Sequence, residues 1–178
     1  ATLYAVGVPL VDWRNPLGPT WSYVLSNHDG ITLIDTGVPG SLPTLEDGLH
    51  QLDISLSDVK KIVITHGHLD HDGTAPLINK KVGAQIVAHE VYTNLLNADL
   101  YRGDRRPGEQ HSDHWDQQSQ AFADSIQQLQ ELKKEMKVTR SVVEGDRVDD
   151  LTFYHAPGHS PDELCILFDD ILFTGDHV

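Results

Sequence analysis

The stretch THGHLDHDG, residues 65–73, places three histidines and two aspartates within nine residues. Such side chains resist burial unless they are paired or bound to a metal ion. His66 and His68 are two positions apart, so in an extended loop their rings can point to the same side. Two facing imidazoles can bind one divalent ion, while Asp70 and His71 bind a second. Nitrogen ligands combined with carboxylates are typical of zinc, iron or manganese at catalytic sites.

Residues of the same chemical type follow other candidate strands. His159 lies in a Pro-Gly-His-Ser-Pro turn after one strand, Asp176 follows a second, and Asp35 follows a third. Ligands in layered α/β folds collect beyond the carboxyl ends of strands. Four strand ends that each carry a ligand-type residue indicate a metal site. A histidine-rich turn without this function would not be accompanied by ligand-type residues at other strand ends. Asp72 is interpreted as a carboxylate at a helix start and not as a ligand.

The elements that must position these residues are predicted from hydrophobic periodicity. In the first half, an Asn-His-Asp-Gly turn joins two strands into a hairpin, and Ser41 and Pro43 open a helix. The predicted strands are 21–25, 31–34, 59–65 and 85–88, and the predicted helices are 42–52 and 74–81. Strand, loop, helix and strand in this order indicate an α/β layer.

Residues 91–137 interrupt this pattern and are predicted to form a helical insertion. Residues 101–115 are expected to be an irregular loop. From Asp116 onward, apolar residues at helical spacing predict a helix that packs one face on the body, with a lid over a site as the alternative. Its apolar residues are Phe122, Ile126, Leu129, Leu132 and Met136. Strands are then predicted at 151–155, 163–168 and 171–174.

Composition restricts the classes of function. The chain has 178 residues, enough for a single domain over 1–178, and a formal net charge of −14. That charge disfavours binding to nucleic acid or to anionic membranes. The single cysteine, Cys165, excludes an internal disulfide and is predicted to be a buried, inert thiol; the expected location is cytoplasmic. No apolar run approaches the roughly 20 residues of a membrane helix. Because it starts at Ala1 and ends on FTGDHV, the chain is expected to be a fragment.

The motifs together resemble the metallo-β-lactamase superfamily of hydrolases. The matching stretches are LIDTG, THGHLDHDG, APGHSPDE and FTGDHV, in that order along the chain. The resemblance implies an αββα sandwich, here the first half and part of the second with the C-terminal part missing. It also implies two divalent metal ions, with zinc expected first and iron or manganese as alternatives.

The resemblance further implies roles for individual residues. His66, His68 and His159 would bind the first metal. Asp70, His71 and Asp176 would bind the second, with Asp176 bridging the two ions and Asp70 and Asp176 acting as the catalytic carboxylates. Asp35 would orient the histidine loop, although a turn cap is the alternative. The family's further histidine ligand, downstream of the Asp176 position, is absent, and His177 is a poor substitute because adjacent strand residues point to opposite faces.

Two departures concern the branch of the family. A glyoxalase II-like or lactonase-like branch is favoured, but glyoxalase II enzymes usually read Pro-Gly-His-Thr-Pro-Gly-His. Here Asp162 and Glu163 occupy the positions of that last Gly-His, and Thr74 stands where a second glycine is usual. These differences weaken a specific assignment to hydroxyacylglutathione hydrolysis.

The predicted function is metal-dependent hydrolysis of a small ester-like substrate (a thioester, lactone, β-lactam or phosphoester) by a hydroxide bound to two metals. The alternatives are a mononuclear-iron persulfide dioxygenase-like oxidoreductase and a non-catalytic metal-binding domain. Flavodiiron proteins usually have Glu at the position of His68, and nucleases are disfavoured by the charge. The expected partners are a small-molecule substrate and either a second copy of the chain or a complementing C-terminal fragment.

Overall fold

The structure is a computed structural model that describes residues 1–8, 19–98 and 120–177. Within these residues two sheets are present. The larger has six strands in the order β1-β2-β3-β4-β5-β6, and the smaller has four in the order β10-β9-β8-β7. The first three strands of the larger sheet pair antiparallel, whereas β3 to β6 pair parallel. The smaller sheet is antiparallel throughout.

The elements have the following bounds. The strands are β1 Thr2–Val8, β2 Thr20–Asn27, β3 Gly30–Ile34, β4 Val59–Val63, β5 Gln85–His89, β6 Arg140–Val142, β7 Arg147–Val148, β8 Leu151–His155, β9 Leu164–Phe168 and β10 Ile171–Phe173. The helices are α1 Leu42–His50, α2 Leu69–Asp72, α3 Ala75–Val82, α4 Glu90–Asn97 and α5 Gln120–Glu135, with a short 3-10 helix at Leu56–Asp58.

Successive side chains on the strands of the larger sheet point to opposite faces, so they contribute to two separate hydrophobic cores. On β4, Ile62 joins the core beneath the helices and Val63 joins the core between the two sheets. On β5, Ile86 and Val87 divide in the same way. Phe153 of β8 is fully buried in the core between the sheets. Continuous apolar runs are expected for strands covered on both faces. Because β3, β4 and β5 pair parallel, their carboxyl ends lie at one edge of the sheet.

The predicted α/β class and most predicted elements are confirmed, with small shifts at their ends. The helix predicted at 42–52 ends at His50, and the strand predicted at 59–65 ends at Val63. Ser41 precedes α1, but its hydroxyl donates to the carbonyl of Val38 and does not cap the helix. The strands β1, β6 and β7 were not predicted. Only Val6 and Val8 of β1 are buried, and the other two strands are too short to show a period.

The predicted helical insertion lies only partly within the described residues. Of its helices, α4 begins at Glu90 and α5 ends at Glu135. Leu129 and Met136 are 3% and 5% exposed, as expected for a helix that packs an apolar face on the body. The predicted loop at 101–115 and the side chain of Phe122 lie outside the described residues.

Two further predictions concern the whole chain. Cys165 is buried in β9, and burial raises the pKa of its thiol, in agreement with an inert cysteine. Among the residues that the structure describes, no helix is both long enough and apolar enough to cross a bilayer.

Candidate metal centre

The predicted histidine loop connects β4 to α2 at the edge where the parallel strands end. After Val63 the chain leaves the sheet, and residues 66–68 run in irregular conformation before α2 begins at Leu69. Because α2 is a helix of four residues, it turns Asp70 and His71 back toward the histidines that precede it. His66 is fully buried, while His68 and Asp70 are half-buried.

Three ring nitrogens meet where the two sheets approach each other. His68 Nδ1 lies 3.0 Å from His66 Nε2 and 2.8 Å from His159 Nε2. His159 comes from the loop after β8, so the smaller sheet supplies one of the three rings. The His66, His68 and His159 side chains form a group whose ligand atoms all lie within 4.8 Å of one another, close enough to share one metal ion.

A second group shares His66 with the first and adds His71 and Asp176. His71 Nε2 lies 3.2 Å from Asp176 Oδ1, and the other oxygen of that carboxylate lies 3.6 Å from His159 Nε2. Asp176 therefore reaches toward both groups. Asp70 belongs to neither group, but its Oδ2 lies 3.6 Å from His71 Nε2 on the same side. His177 is exposed and lies outside both groups.

Asp35 lies behind the histidines and not among the candidate ligands. Its carboxylate accepts hydrogen bonds from the amide and the hydroxyl of Thr65, at 2.8 and 2.7 Å. Its Oδ2 is also 2.8 Å from His71 Nδ1. At the end of β3, Asp35 adopts a left-handed φ of 58°, a conformation uncommon for a residue with a side chain. These contacts match the orienting role and not the alternative of a simple turn cap.

The charges of the site differ sharply between neighbouring rings. Burial, and then the neighbouring His71, lower the pKa of His66 to about 2, so this ring is neutral as a metal ligand must be. Burial also opposes charge on His71, but Asp35, Asp176 and Asp70 outweigh it and raise the pKa of His71 to about 11. The hydrogen bond from His71 lowers the pKa of Asp176 to about 2.

The positions that depart from the glyoxalase II motif are in contact with the site. Asp162 and Glu163 are both fully buried, and Asp162 Oδ2 accepts a hydrogen bond of 2.9 Å from the amide of Gly67. Glu163 Oε1 lies 3.3 Å from His66 Nδ1. Desolvation by burial raises the pKa of Glu163 to about 8. Sequence reasoning noted these residues only as departures, because nothing in the local pattern indicates which way they point.

Asp72 lies in the first turn of α2 and outside both ligand groups, as predicted, but it is not a solvated carboxylate. Asp72 is fully buried, and its Oδ2 accepts a hydrogen bond of 2.9 Å from the hydroxyl of Tyr92 and lies 2.5 Å from Lys133 Nζ. Lys133 lies on α5 and is itself only 3% exposed. Desolvation by burial raises the pKa of Asp72 to about 6, although Lys133 opposes this shift. Asp72 therefore connects α2, which follows the histidine loop, to a helix of the insertion. Sequence spacing could not reveal this contact.

A cavity of about 250 Å³ opens beside the second group. Asp70, His71 and Asp176 lie on one side of it, and Trp21, Tyr23, Leu172 and Phe173 contribute an apolar and aromatic wall. Concave sites of this mixed character are the usual binding places for small molecules.

Two packed sheets with histidines and aspartates at their strand ends define a layered α/β fold with a candidate metal site. The chain belongs to the metallo-β-lactamase superfamily, whose family model matches residues 15–178. It is 27% identical over 161 residues to a metallo-beta-lactamase fold-containing protein of Sulfurisphaera tokodaii, covering 86% of this chain and 55% of that protein. It is 25% identical over 166 residues to the probable polyketide biosynthesis zinc-dependent hydrolase BaeB of Bacillus velezensis, covering 93% and 56%.

A solved structure shows the same relationship. The subclass B3 metallo-β-lactamase BJP-1 of Bradyrhizobium japonicum superposes with a TM-score of 0.64 at 31% identity, covering 89% of this chain and 58% of that one. The predicted superfamily and fold are thereby confirmed. The chain spans about half the length of the relatives it matches.

Proposed function

We propose that this chain forms the metal centre of a hydrolase that acts on a small ester-like substrate. The observation that carries the proposal is the convergence of the ring nitrogens of His66, His68 and His159, with His71, Asp70 and Asp176 beside them. Three imidazoles that meet at one point, next to a histidine between carboxylates, form a donor set for divalent metals.

The residues present fit such an ion. Ligand nitrogens at zinc distances of about 2.0–2.1 Å in tetrahedral geometry are separated from one another by about 3.3 Å. The separations of 3.0 and 2.8 Å from His68 Nδ1 to its two neighbours are only slightly shorter. The first ion would be held by His66, His68 and His159, and the second by Asp70, His71 and Asp176, with Asp176 between them. Zinc suits this set best.

The protein residues orient the site and balance its charge. Bound divalent ions would lower the pKa of a water molecule and polarise the scissile bond. Asp70 and Asp176 supply negative charge beside the ions. Asp35 holds His71 from behind, and it fixes the start of the histidine loop through Thr65.

The cavity and the relatives support a small substrate. A cavity of about 250 Å³ with Trp21, Tyr23 and Phe173 in its lining suits a small molecule rather than a polymer. The formal charge of −14 also disfavours nucleic acid. One relative is named a zinc-dependent hydrolase and another a metallo-β-lactamase. Thioesters, lactones, β-lactams and phosphoesters therefore form the panel of candidate substrates.

The first test is metal analysis followed by activity measurements. The purified chain should bind zinc, two ions per chain being the expected limit, and chelation should abolish hydrolysis of any substrate in the panel. Replacing His66, a ligand of the first ion, by alanine should remove at least one of the two zinc ions. His28→Ala is the matched control because His28 is exposed and lies far from the loop in sequence.

Specific results would contradict the proposal. Retention of a single iron with oxygen uptake would support the dioxygenase alternative. Zinc binding without hydrolysis of any member of the panel would support a non-catalytic metal-binding domain. Equal metal content in His66→Ala and His28→Ala would remove the assigned centre altogether.

A further inference from the structure

The segment after His159 joins the parts of the chain that carry the candidate ligands. Asp162 Oδ2 accepts from the amide of Gly67, between His66 and His68. The amide of Leu164 donates to the carbonyl of Thr65 at 3.0 Å. A few consecutive residues therefore fix the backbone of the histidine loop from the side of the smaller sheet.

Glu163 lies at the centre of this junction. Its side chain is fully buried, with Oε1 3.3 Å from His66 Nδ1. The same oxygen accepts a hydrogen bond of 3.2 Å from the amide of Asp176. One oxygen of Glu163 thus contacts both the ring of His66, which the two groups share, and the backbone of Asp176. Gly175, at a left-handed φ of 55°, makes this approach possible because a Cβ there would collide with Glu163 Oε1.

The burial of this carboxylate is costly, and the packing does not require it. Its second oxygen, Oε2, is buried with no hydrogen-bond partner among the described residues. A buried polar group is unfavourable unless its partners compensate for the lost water. An apolar side chain would fill the same space with less desolvation, so the contacts of Oε1 offer the physical reason for an acceptor oxygen here.

The contacts of His66 determine where its proton resides. The Thr65 hydroxyl has one proton and donates it to Asp35 Oδ2 at 2.7 Å, so it presents a lone pair to His66 Nδ1 at 3.1 Å. The other neighbour of Nδ1 is Glu163 Oε1, which accepts the amide hydrogen of Asp176. A proton on this carboxyl belongs on Oε2, which has no partner among the described residues, so Oε1 is also an acceptor. Between two acceptors, Nδ1 must carry the hydrogen, which leaves the lone pair on Nε2 directed toward His68.

We propose that Glu163 is a positioning residue that holds His66 in the Nδ1–H tautomer and fixes the backbone of Asp176, so that both donors face the metal site. This inference rests on the proposed metal centre. Partners of this kind, which contact a ligand and not the ion, typically change metal affinity by about 10–100-fold when they are removed.

The experiment compares Glu163→Leu with Glu163→Gln. Glutamine keeps an acceptor oxygen for His66 Nδ1 and for the Asp176 amide, whereas leucine keeps only the volume. Zinc affinity is measured by competition with a chromophoric chelator. The His66 tautomer is measured in the metal-free protein by nitrogen–proton correlation NMR of the ring. Glu135→Gln is the control, because Glu135 is an exposed glutamate that pairs with Lys80 and does not contact a ligand ring.

We expect Glu163→Leu to weaken zinc binding by about 10–100-fold and to populate the Nε2–H tautomer of His66. Glu163→Gln and Glu135→Gln should stay within about threefold of the wild type and keep the Nδ1–H tautomer. Should Glu163→Leu fail to fold, the glutamine variant decides: an Nε2–H tautomer or a loss above tenfold in that variant overturns the proposal.

Two other results separate this inference from the function on which it rests. A wild-type chain that binds no zinc overturns the metal centre and the role of Glu163 with it. A wild-type chain that binds zinc, together with a leucine variant of unchanged affinity and tautomer, overturns only the role of Glu163.

Discussion

The pair formed by Asp35 and His71 shows how single residues set the charge of the site. His71 Nδ1 lies 2.8 Å from Asp35 Oδ2, and both side chains are almost completely buried. Carboxylates around this ring stabilise its cation strongly enough to overcome burial, and they raise its pKa to about 11. In the metal-free protein His71 is therefore protonated at neutral pH, and a metal ion that binds there must displace that proton.

Replacing Asp35 by asparagine should change how stability depends on pH. The folded-state pKa of His71 lies above the ordinary histidine value of 6.5, so the pair contributes fully below pH 6.5 and the contribution is lost as pH rises through about 11. We expect Asp35→Asn to cost about 1.5–3 kcal/mol at pH 6 and clearly less at pH 9. Urea unfolding of the metal-free protein at both values measures this difference.

The exposed pair of His28 and Asp29 provides the control. Its ring and carboxylate lie 3.2 Å apart, but their side chains are 88% and 65% exposed. Asp29→Asn should therefore leave stability unchanged at both pH values. An equal loss at pH 6 and pH 9 for Asp35→Asn would show that the charge of His71 is not responsible.

For single residues, the sequence predicted the candidate metal ligands better than the residues that contact and orient those ligands. Histidines and aspartates at strand ends have a distinctive type and spacing, which indicates candidate ligands. The resemblance to the metallo-β-lactamase superfamily implied the grouping of His66, His68 and His159 that the structure brings together. Glu163 and Asp72 carry no such signal, because a carboxylate in a loop or at a helix start is usually solvated. Only the packing of distant segments shows that these two are buried.

Among the elements, α5 contacts α2, the helix that follows the histidine loop, through a buried ion pair. Lys133 Nζ lies 2.5 Å from Asp72 Oδ2, and Asp72 directly follows His71 at the end of α2. The hydroxyl of Tyr92, on α4, donates to the same oxygen. Both helices of the described insertion therefore meet α2 at a single carboxylate, so their packing and the position of His71 depend on each other.

Removing the lysine should reveal how much this junction contributes. Lys133→Met leaves a buried carboxylate without its cation, a change that typically costs about 3–5 kcal/mol. Lys134→Met is the neighbouring control, because Lys134 is 55% exposed and pairs with Glu131 three residues earlier; it should cost less than about 1 kcal/mol. Urea unfolding measures both variants.

A double variant separates charge from packing. Asp72→Asn combined with Lys133→Met removes both charges and should recover part of the loss seen with Lys133→Met alone. Similar losses of unfolding free energy for Lys133→Met and Lys134→Met would contradict a buried junction between α5 and α2.

The predictability of the elements followed their length and burial. The central strands β4 and β5 were predicted because continuous apolar runs indicate burial on both faces. Three edge strands were missed for lack of such runs, since β7 has two residues, β6 has three and β1 has only two buried positions. Hydrophobic periodicity does not report which partner an element packs against, so the contact of α5 with Asp72 was also beyond its reach.

For the whole molecule, the candidate ligands are divided between the two sheets. His66, His68 and His71 follow β4 of the larger sheet, whereas His159 and Asp176 follow β8 and β10 of the smaller one. The sheets already share an apolar core that includes Val63, Phe153 and Phe173. A metal bound to these ligands would connect the two sheets at their edge, in addition to that core.

Zinc should therefore stabilise the docking of the smaller sheet as well as the loop. An ion that binds only the folded state at a free concentration 100 times its dissociation constant adds about 2.7 kcal/mol, which corresponds to a Tm increase of roughly 5–10 °C for a chain of this size. Amide hydrogen exchange should slow in β8, β9 and β10. His159→Ala should lose most of both effects because it removes a ligand of the smaller sheet, whereas His28→Ala should retain them. If zinc protected only the loop between β4 and α2, with exchange in the smaller sheet unchanged, the ion would not connect the two sheets.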